Sequence, residues 1–393
     1  VARAHGSLCK DFLLLCVFVG APALVASVRQ SAARTEVLLD SGIARPVDRI
    51  GLPEGWRWDR QGGPSSARSA ARLEVLAFPA ESPVDAPETL GVAIVPGNPG
   101  VPQYYCHFGE HLHRELEALV GPTTVYVVGY PNFVTNSEPE DVGAHIEVEA
   151  ESISTALGGL HRVHRKRGLA LFGHSIGAWV VAQHLLGIVV RDQPEVAPSV
   201  PLAVFAMPYL EFFGNWNQRL VSILAGLPVY GPLARLITSA AMAVPASIYD
   251  FVCPYAVSKN TEHCDITKAT LFQQPHHLMG MFLMVKSEVQ RLSPEATPGA
   301  GLQEFEPLFR SSKRPPVLSL VTRGDIWSPE CHAERLRAML SDGDDVVYLA
   351  NETSGCVVQG RPPSHSFVLD DEFLRPIAAL VAGRVAQELA RKR

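Results

Sequence analysis

Charged residues are scarce in this chain of 393 residues. Asp, Glu, Lys and Arg make up 19% of the sequence, which is below the roughly 25% that is usual for soluble domains. The two signs nearly balance, with 34 basic and 40 acidic residues and a net charge of −6, so a basic surface for nucleic acid is not expected. Because 47% of the residues are hydrophobic, the chain can bury a large core, which excludes disordered, collagen-like and coiled-coil proteins.

Closely spaced cysteine pairs are missing as well. The seven cysteines are scattered and include no C-x-x-C pair, so they indicate neither a disulfide framework nor a zinc knuckle, and we expect ordinary buried or surface positions for them. They are Cys9, Cys16, Cys106, Cys253, Cys264, Cys331 and Cys356. His263, Cys264, His276 and His277 lie near one another in the sequence, but their spacing matches no pattern of metal ligands. We therefore expect no metal site.

Two apolar segments carry much of the hydrophobicity, and the first is at residues 12–28. It contains no charged residue and follows Arg3 and Lys10, which is typical of a signal sequence or signal anchor. At 1.5 Å per residue a helix of this length spans about 25 Å, slightly less than the roughly 30 Å hydrocarbon core of a bilayer. We expect a targeting or signal-anchor segment over residues 1–35, with a buried terminal helix as the alternative.

The second apolar segment, residues 220–245, contains Arg235 as its only charged residue. Pro228, Gly231 and Pro232 divide it into two short apolar helices. Each half is too short to cross a bilayer alone, but together they could form a re-entrant or interfacial hairpin. The alternative is a lid packed over an apolar pocket. The two hypotheses are compatible, because a lid that opens toward lipid needs an apolar surface.

Apolar, β-branched runs alternate with helical patterns from residue 73 onward. Short apolar strands separated by helices are typical of a mostly parallel sheet with both faces covered by helices. The predicted strands are 73–80, 90–95, 124–130, 169–172, 202–207, 317–322 and 346–349. The predicted helices are 108–120, 142–165, 176–190, 329–340 and 371–391. We predict an α/β protein with one domain over residues 36–393 and an insertion at residues 208–313, between the predicted strands 202–207 and 317–322.

The motif GHSIG at residues 173–177 follows the predicted strand 169–172 and opens a helix. A serine on such a strand-to-helix turn adopts a strained backbone that holds its hydroxyl above the sheet, and flanking glycines remove side chains that would clash. Ser175 is therefore the candidate nucleophile. The helix that begins at Ile176 directs its N-terminus at the serine hydroxyl, which favours an oxyanion there.

A serine nucleophile needs a base, and the base needs a carboxylate that orients it. When the nucleophile lies on such a turn, its partners follow in the order acid then histidine, after late strands. Asp325 comes directly after the strand 317–322, and His365 lies in a loop after the last strand. Without the serine motif they would be an ordinary turn residue and an ordinary loop residue. With it, we predict that Asp325 is the acid and His365 the base.

Acyl transfer also needs hydrogen-bond donors for the developing oxyanion. The backbone N–H of Ile176, directly after the nucleophile, is one candidate. The second is the N–H of Asn98 in the loop PGNPG, residues 96–100, which follows the early strand 90–95. Two glycines and two prolines in this loop favour a tight, open backbone, although a purely structural turn is the alternative.

These motifs together resemble the α/β-hydrolase superfamily and, more narrowly, the lipid droplet-associated hydrolase family. The narrower resemblance rests on VPGNPG at residues 95–100 with Tyr104, Tyr105 and Phe108 after it, on GHSIGA at residues 173–178, and on the late aspartate and histidine loops. It covers residues 73–389. The resemblance implies an α/β-hydrolase fold, a mostly parallel central sheet flanked by helices, with a helical lid or cap between strands 6 and 7 in the usual count of that fold, here 202–207 and 317–322. It also implies a serine hydrolase of lipid esters, attached to the endoplasmic reticulum and lipid droplet surface through apolar segments.

The hypothesis is a serine esterase or lipase that uses no metal and no organic cofactor. Sterol ester hydrolysis is the activity usually proposed for the family, and acylglycerols are the other candidate substrates. Side chains at the end of the predicted strand 202–207 and in the insertion are candidate acyl-chain contacts, or else lid core with no part in selection. They are Met207, Tyr209, Phe212, Phe213, Met281 and Met284. The alternatives are a lipid-droplet or membrane organising protein with weak or incidental activity, and a soluble or luminal esterase of small esters.

Overall fold

The structure is a computed structural model, and the parts of the chain that it describes exclude the predicted targeting segment. The apolar run at residues 12–28, Cys9, Cys16 and Phe213 therefore lie outside the described residues. Described are residues 57–59, 74–79, 88–133, 145–192, 199–212, 214–293, 297, 299–341, 343–349, 354–358 and 360–392.

A mixed sheet with the strand order β1-β2-β4-β3-β5-β6-β7-β8 forms the centre of the described part of the chain. The first two strands join it in antiparallel fashion, and every pair from β4 to β8 is parallel. All residues of β3 to β7 are buried, which explains their continuous apolar sequences. The strands are β1 (Arg57–Asp59), β2 (Val75–Phe78), β3 (Leu90–Val95), β4 (Thr123–Val128), β5 (Leu169–His174), β6 (Ala203–Ala206), β7 (Val317–Val321) and β8 (Asp345–Tyr348). The prediction of a mostly parallel sheet is confirmed.

The predicted helices are also present, with small shifts at their ends. Helix α1 packs against α11, and α2 packs against α3. Helix α3 is shorter than predicted because its continuation is a π-helical turn at Gly187–Asp192. The helices are α1 (Cys106–Val120), α2 (Ile146–Val163), α3 (Ile176–Leu186), α4 (Trp216–Gly226), α5 (Tyr230–Met242), α6 (Ala246–Ala256), α7 (Thr261–Thr267), α8 (Pro275–Leu292), α9 (Glu306–Phe309), α10 (Glu330–Met339) and α11 (Asp371–Arg391).

Helices α4 to α8 form a cap in the insertion between β6 and β7. Helix α8 packs against α4 and α5 within the cap and against α2 of the sheet domain. The break between α4 and α5 contains Pro228, whereas Gly231 and Pro232 lie in the first turn of α5. Proline is tolerated there because the first backbone N–H groups of a helix have no partner inside it. The predicted division of residues 220–245 into two short helices is confirmed.

The length and apolarity of the cap helices bear on contact with lipid. Within the described ranges, no single helix is both long enough and apolar enough to cross a membrane. Helices α4 and α5 meet these requirements when they are taken together, although the pair is bent by 101°.

The expectation of ordinary, unpaired positions for the cysteines is wrong for one pair. Cys253 of α6 and Cys264 of α7 form a disulfide, with their Cα atoms 5.8 Å apart. No cysteine motif predicts this pair, because the pairing depends on how α7 packs against α6. Cys106 and Cys356 carry buried free thiols, and the free thiol of Cys331 is exposed.

Candidate active site

The predicted site residues follow parallel strands of the sheet. The loop that contains Asn98 comes after β3, Ser175 follows β5, Asp325 follows β7 and His365 lies beyond β8. The carboxyl ends of parallel strands meet at one edge of a sheet, and ligands bind there in α/β folds. Strands β3 and β5 are neighbours, with Val95 paired to Gly173, so the candidate oxyanion loop, residues 96–100, and the serine turn start side by side.

Ser175 has the strained backbone that the motif predicts, with φ 54° and ψ −123°. Hydrogen bonds hold this turn from both sides. The Ser175 N–H donates to the Ala206 carbonyl at 2.9 Å, and the Ser175 carbonyl accepts from the N–H groups of Ala178 at 3.0 Å and Tyr209 at 3.1 Å. A non-glycine residue at positive φ persists where its surroundings fix it, which is common at active sites.

The two motif glycines make this turn possible through close backbone approach. A Cβ atom on Gly173 would lie 2.5 Å from the Gly177 carbonyl oxygen, and one on Gly177 would lie 2.3 Å from the Pro96 carbonyl oxygen. Both distances are far shorter than real Cβ contacts. Neither position can therefore carry a side chain without moving the backbone around Ser175.

Ser175, His365 and Asp325 form a continuous row of hydrogen bonds. His365 Nε2 lies 2.9 Å from Ser175 Oγ, and His365 Nδ1 lies 2.7 Å from Asp325 Oδ2. A carboxylate accepts only, so Nδ1 carries the proton in this bond and Nε2 of a neutral ring is left to accept from the serine hydroxyl. The structure thus brings the three predicted catalytic residues together.

The buried carboxylate of Asp325 is stabilised in its charged form. Its side chain is 0% exposed, and burial alone would raise its pKa. The charge and hydrogen bond of His365, together with the N–H groups of Ser328 and Trp327, outweigh burial and lower the pKa of Asp325 below its ordinary value. The two N–H groups donate to Oδ1 at 3.1 Å and 2.8 Å. Asp325 is therefore a fixed anion beside His365.

The loop after β3 lies directly against the nucleophile. A Cβ atom on Gly97 would be 2.9 Å from the Cβ of Ser175. The Gly97 N–H donates to the Tyr105 hydroxyl at 2.8 Å, so it is already occupied. The Asn98 side chain reaches the cap, where its Nδ2 donates to the Met281 carbonyl of α8 at 3.2 Å.

The other predicted oxyanion donor, Ile176, belongs to the helix that follows the candidate nucleophile. Ile176 is the first residue of α3, and its side chain is fully buried. The first N–H groups of a helix have no partner within it and carry partial positive charge. Ile176 and Asn98 thus come from two segments that meet Ser175, the N-terminus of α3 and the loop after β3.

A buried histidine links the oxyanion loop to the loop of the base. His174 Nε2 lies 2.8 Å from the His365 carbonyl oxygen, and Tyr105 Oη lies 2.6 Å from His174 Nδ1. Burial and then the His365 charge lower the pKa of His174 to about 3, so the ring is neutral. A carbonyl only accepts, so Nε2 carries the hydrogen and Nδ1 accepts from the Tyr105 hydroxyl. The Tyr105 oxygen in turn accepts from the Gly97 N–H.

The described residues among the predicted substrate contacts lie in the main hydrophobic core or pack against it. Met207, Tyr209 and Met284 are buried in the main hydrophobic core, whereas Phe212 and Met281 are partly buried against it. The carbonyl of Met281 accepts a hydrogen bond from the Asn98 side chain, which places Met281 close to the candidate site. These residues can contribute to an acyl pocket or serve as packing, and their role in binding stays a prediction.

The local group of histidines and Cys264 serves other contacts. His263 Nε2 lies 3.2 Å from Asp371 Oδ1, His277 Nδ1 lies 2.6 Å from the Thr270 carbonyl oxygen, and Cys264 is in the disulfide. Across the ranges that the structure covers, no group of three or more His, Cys, Asp or Glu residues is arranged to hold a metal ion.

Comparison with known proteins gives a family match and structural relatives. The family model described as Lipid-droplet associated hydrolase matches residues 88–368, a span that includes all the predicted catalytic and oxyanion residues.

Among solved structures, the haloalkane dehalogenase DatA from Agrobacterium tumefaciens is 11% identical to this chain. The TM-score is 0.59, and the match covers 86% of this chain and 99% of DatA. The haloalkane dehalogenase DbeA from Bradyrhizobium elkani is 15% identical, with a TM-score of 0.55 over 86% and 99%. At these identities the likeness establishes the α/β-hydrolase fold alone. No curated protein matches the chain in sequence.

Proposed function

This chain belongs to the lipid-droplet associated hydrolase family, and from that membership we propose that it is a serine hydrolase that cleaves carboxylic esters of lipids. The observation that carries the proposal is the row of hydrogen bonds from Ser175 through His365 to Asp325. Such a row, with a strained serine between a strand and a helix, is suited to nucleophilic attack on a carbonyl.

In the proposed reaction His365 takes the proton of Ser175 as the hydroxyl attacks the ester carbonyl. Asp325 stabilises the imidazolium that forms. The N–H groups of Asn98 and Ile176 bind the oxyanion, and loss of one such donor costs roughly 100 to 1000-fold in rate. His365 then protonates the leaving alcohol, which leaves an acyl-enzyme. Water activated by His365 attacks the acyl group and releases the acid. The steps require no metal and no organic cofactor.

Sterol esters and acylglycerols are the proposed substrates. Their acyl chains would contact an apolar region between the end of β6 and the cap. The proposed contacts are Met207, Tyr209, Phe212, Phe213, Met281 and Met284. The methionines suit this role because their flexible side chains adapt to irregular apolar shapes.

We further propose that the cap docks on a lipid surface, at the lipid droplet or the endoplasmic reticulum. The family name indicates association with lipid droplets. Trp216 is 76% exposed, and Phe251 and Tyr255 are each 72% exposed. Other large apolar side chains of α4 to α6 and of the loops between them are also exposed, namely Ile223, Leu227, Val229, Leu233, Leu236, Val244 and Ile248. Apolar exposure on this scale is typical of surfaces that contact a membrane or a partner.

The disulfide favours a second candidate, an esterase of the secretory lumen. Disulfides persist mainly in oxidising compartments, and the Cys253–Cys264 bond lies in the cap. A glycosylation sequon at Asn351, outside the described residues, offers a direct test. Removal of N-glycans should shift the mobility of a luminal protein, and Asn351→Gln should abolish that shift. If removal of N-glycans does not shift the mobility and a protease digests the protein in intact microsomes, the protein faces the cytosol, as the first candidate requires.

A fluorophosphonate probe tests the proposed nucleophile. The probe should label the folded wild type and should not label Ser175→Ala. Ser364→Ala is the matched control, since Ser364 is exposed and next to the base, and it should be labelled like wild type. Far-UV circular dichroism checks that each variant is folded. Absence of Ser175-dependent labelling in folded protein would refute the catalytic proposal.

A further inference from the structure

A buried carboxyl group of the cap lies against the oxyanion loop. Glu288 of α8 is 6% exposed, and burial raises the pKa of its carboxyl group while the nearby Asn98 side chain lowers it. The Asn98 amide donates to the Met281 carbonyl, seven residues earlier on α8. Positions seven apart share one helix face, and helical side chains lean toward the N-terminus. The Glu288 side chain and the Met281 carbonyl can therefore both approach the Asn98 amide from the same face of α8.

Unpaired polar atoms occur on α8 and on the two segments that lie against Ser175. In the described part of the chain, Glu288 Oε1, Asn98 Oδ1 and Tyr209 Oη are buried and have no hydrogen-bond partner. Tyr209 is 1% exposed, and its N–H donates to the Ser175 carbonyl at 3.1 Å. Burial and then the Glu288 charge raise the pKa of Tyr209. Buried polar groups are normally paired because leaving them unpaired is costly.

The chemistry of this group fits a neutral hydroxyl. Burial raises the pKa of Glu288 to about 8, so at neutral pH the carboxyl group is mainly protonated and can donate as well as accept. The Tyr209 hydroxyl can do both, and Asn98 Oδ1 accepts. A cation would gain little electrostatic stabilisation from a protonated carboxyl group. An anion would be repelled by the partial negative charge of Asn98 Oδ1. A hydroxyl group, which both donates and accepts, matches all three.

We propose that Glu288, Asn98 and Tyr209 form a polar subsite beside Ser175 that binds a hydroxyl group of the substrate. The inference rests on the proposed ester hydrolysis and narrows its substrate class. Preferred substrates are lipid esters with a free hydroxyl near the scissile bond, as in partial acylglycerols. Sterol esters and triacylglycerols lack such a hydroxyl and leave the subsite unpaired.

Matched esters test the subsite directly. Monopalmitoylglycerol and propyl palmitate share the acyl chain and the three-carbon alcohol and differ in the hydroxyl groups. The β-hydroxy analogue of propyl palmitate places the hydroxyl on the acyl side instead. Their binding to folded Ser175→Ala can be followed by tryptophan fluorescence, because the Trp327 ring lies 5.7 Å from that of Tyr209. At least one hydroxylated ester should bind about tenfold more tightly than propyl palmitate, and equal binding of all three overturns the subsite.

Substitution of Glu288 provides a second test of the subsite. In the Ser175→Ala background, Glu288→Leu should bring the affinity ratio between hydroxylated and plain ester close to one. Ser287→Ala is the matched control, because the neighbouring Ser287 accepts from the Ile146 N–H at 2.8 Å and faces α2; it should keep the ratio. If Glu288→Leu does not fold, Glu288→Gln and Tyr209→Phe should each lower the ratio. A ratio unchanged in the folded variants overturns the proposal.

Kinetics with Ser175 restored separate this inference from the proposed function. The kcat/KM of Glu288→Leu should fall more for the preferred hydroxylated ester than for propyl palmitate. An equal fall for both means that Glu288 only positions Asn98, which overturns the subsite. Ser175-dependent turnover without a hydroxyl preference overturns the subsite and leaves the proposed function standing. Hydroxyl-selective binding without any Ser175-dependent turnover supports the subsite and contradicts the proposed function.

Discussion

Tyr105 Oη lies 2.6 Å from His174 Nδ1, deep beneath the serine turn. The Gly97 N–H donates to the same hydroxyl, and His174 donates from its other nitrogen to the His365 carbonyl. One neutral tautomer of His174 satisfies all of these bonds. The loops that supply the proposed oxyanion donor, the nucleophile and the base are therefore tied to one another through buried hydrogen bonds.

The first prediction concerns Tyr105→Phe, which removes the hydroxyl between Gly97 and His174. The oxyanion loop should lose its fixed position, and we expect kcat to fall about 10 to 100-fold with little change in KM. Steady-state hydrolysis of a soluble ester measures this. Tyr104→Phe is the matched control, because the buried Tyr104 hydroxyl donates to Thr267 at 2.9 Å, toward the cap. Equal losses of kcat in the two variants would contradict a special role for Tyr105.

The second prediction concerns Asp325→Asn, which keeps the shape of the side chain and removes its charge. The amide can donate to His365 Nδ1 and so favour the wrong tautomer, and we expect kcat to fall about 10,000-fold. The rate of fluorophosphonate labelling should fall with it, since the probe also needs the activated serine. The exposed Asp265 supplies the control variant Asp265→Asn. Near-normal labelling of folded Asp325→Asn would rule out Asp325 as the proposed acid.

The third prediction follows from the pKa of Glu288, which burial raises to about 8. The ordinary carboxyl pKa is about 4.3, so between the two values the folded protein holds a proton that the unfolded chain has released. The free energy of unfolding should therefore decrease as pH rises through this window, by up to about 1.4 kcal/mol per pH unit, and this term should level off above about pH 8.

Urea unfolding at several pH values measures the Glu288 contribution. Glu288→Gln does not titrate, so the free energy of unfolding of wild type relative to this variant should fall from about pH 6 to about pH 8. Glu334→Gln, an exposed change on α10, should show no such drift relative to wild type. A constant difference between wild type and Glu288→Gln over this range would mean that Glu288 is ionised throughout.

The strands β2 to β8 and the candidate triad could be predicted because their signals lie in the local sequence, whereas the short strand β1 was not predicted. Buried parallel strands are continuously apolar, and the GHSIG motif at residues 173–177 needs its glycines for backbone contacts within the turn and with Pro96. Asp325 and His365 could be found because each lies in the segment that follows one of the last two strands, β7 and β8. Parallel strands bring such residues to one edge of the sheet whatever lies between them.

The contacts that the sequence did not predict are tertiary. Tyr105 lies in the helical turn Pro102–Tyr105, and no local pattern places its hydroxyl between Gly97 and His174. Glu288 lies 190 positions after Asn98 in the chain, on a helix where an acidic residue is expected to face solvent. The disulfide of Cys253 and Cys264 depends likewise on the packing of two cap helices.

The last prediction concerns the exposed apolar face of the cap. Burial of one large apolar side chain in lipid stabilises binding by about 1.5 to 3 kcal/mol, so each of Trp216→Ser, Phe251→Ser and Tyr255→Ser should weaken binding to triolein droplets coated with phosphatidylcholine about tenfold. Flotation of the droplets measures the bound fraction, and hydrolysis of a soluble ester should stay unchanged. Leu119→Ser changes a residue that is 56% exposed on α1 and should leave flotation unaltered. Wild-type flotation by the three cap variants would mean that this face does not contact the lipid.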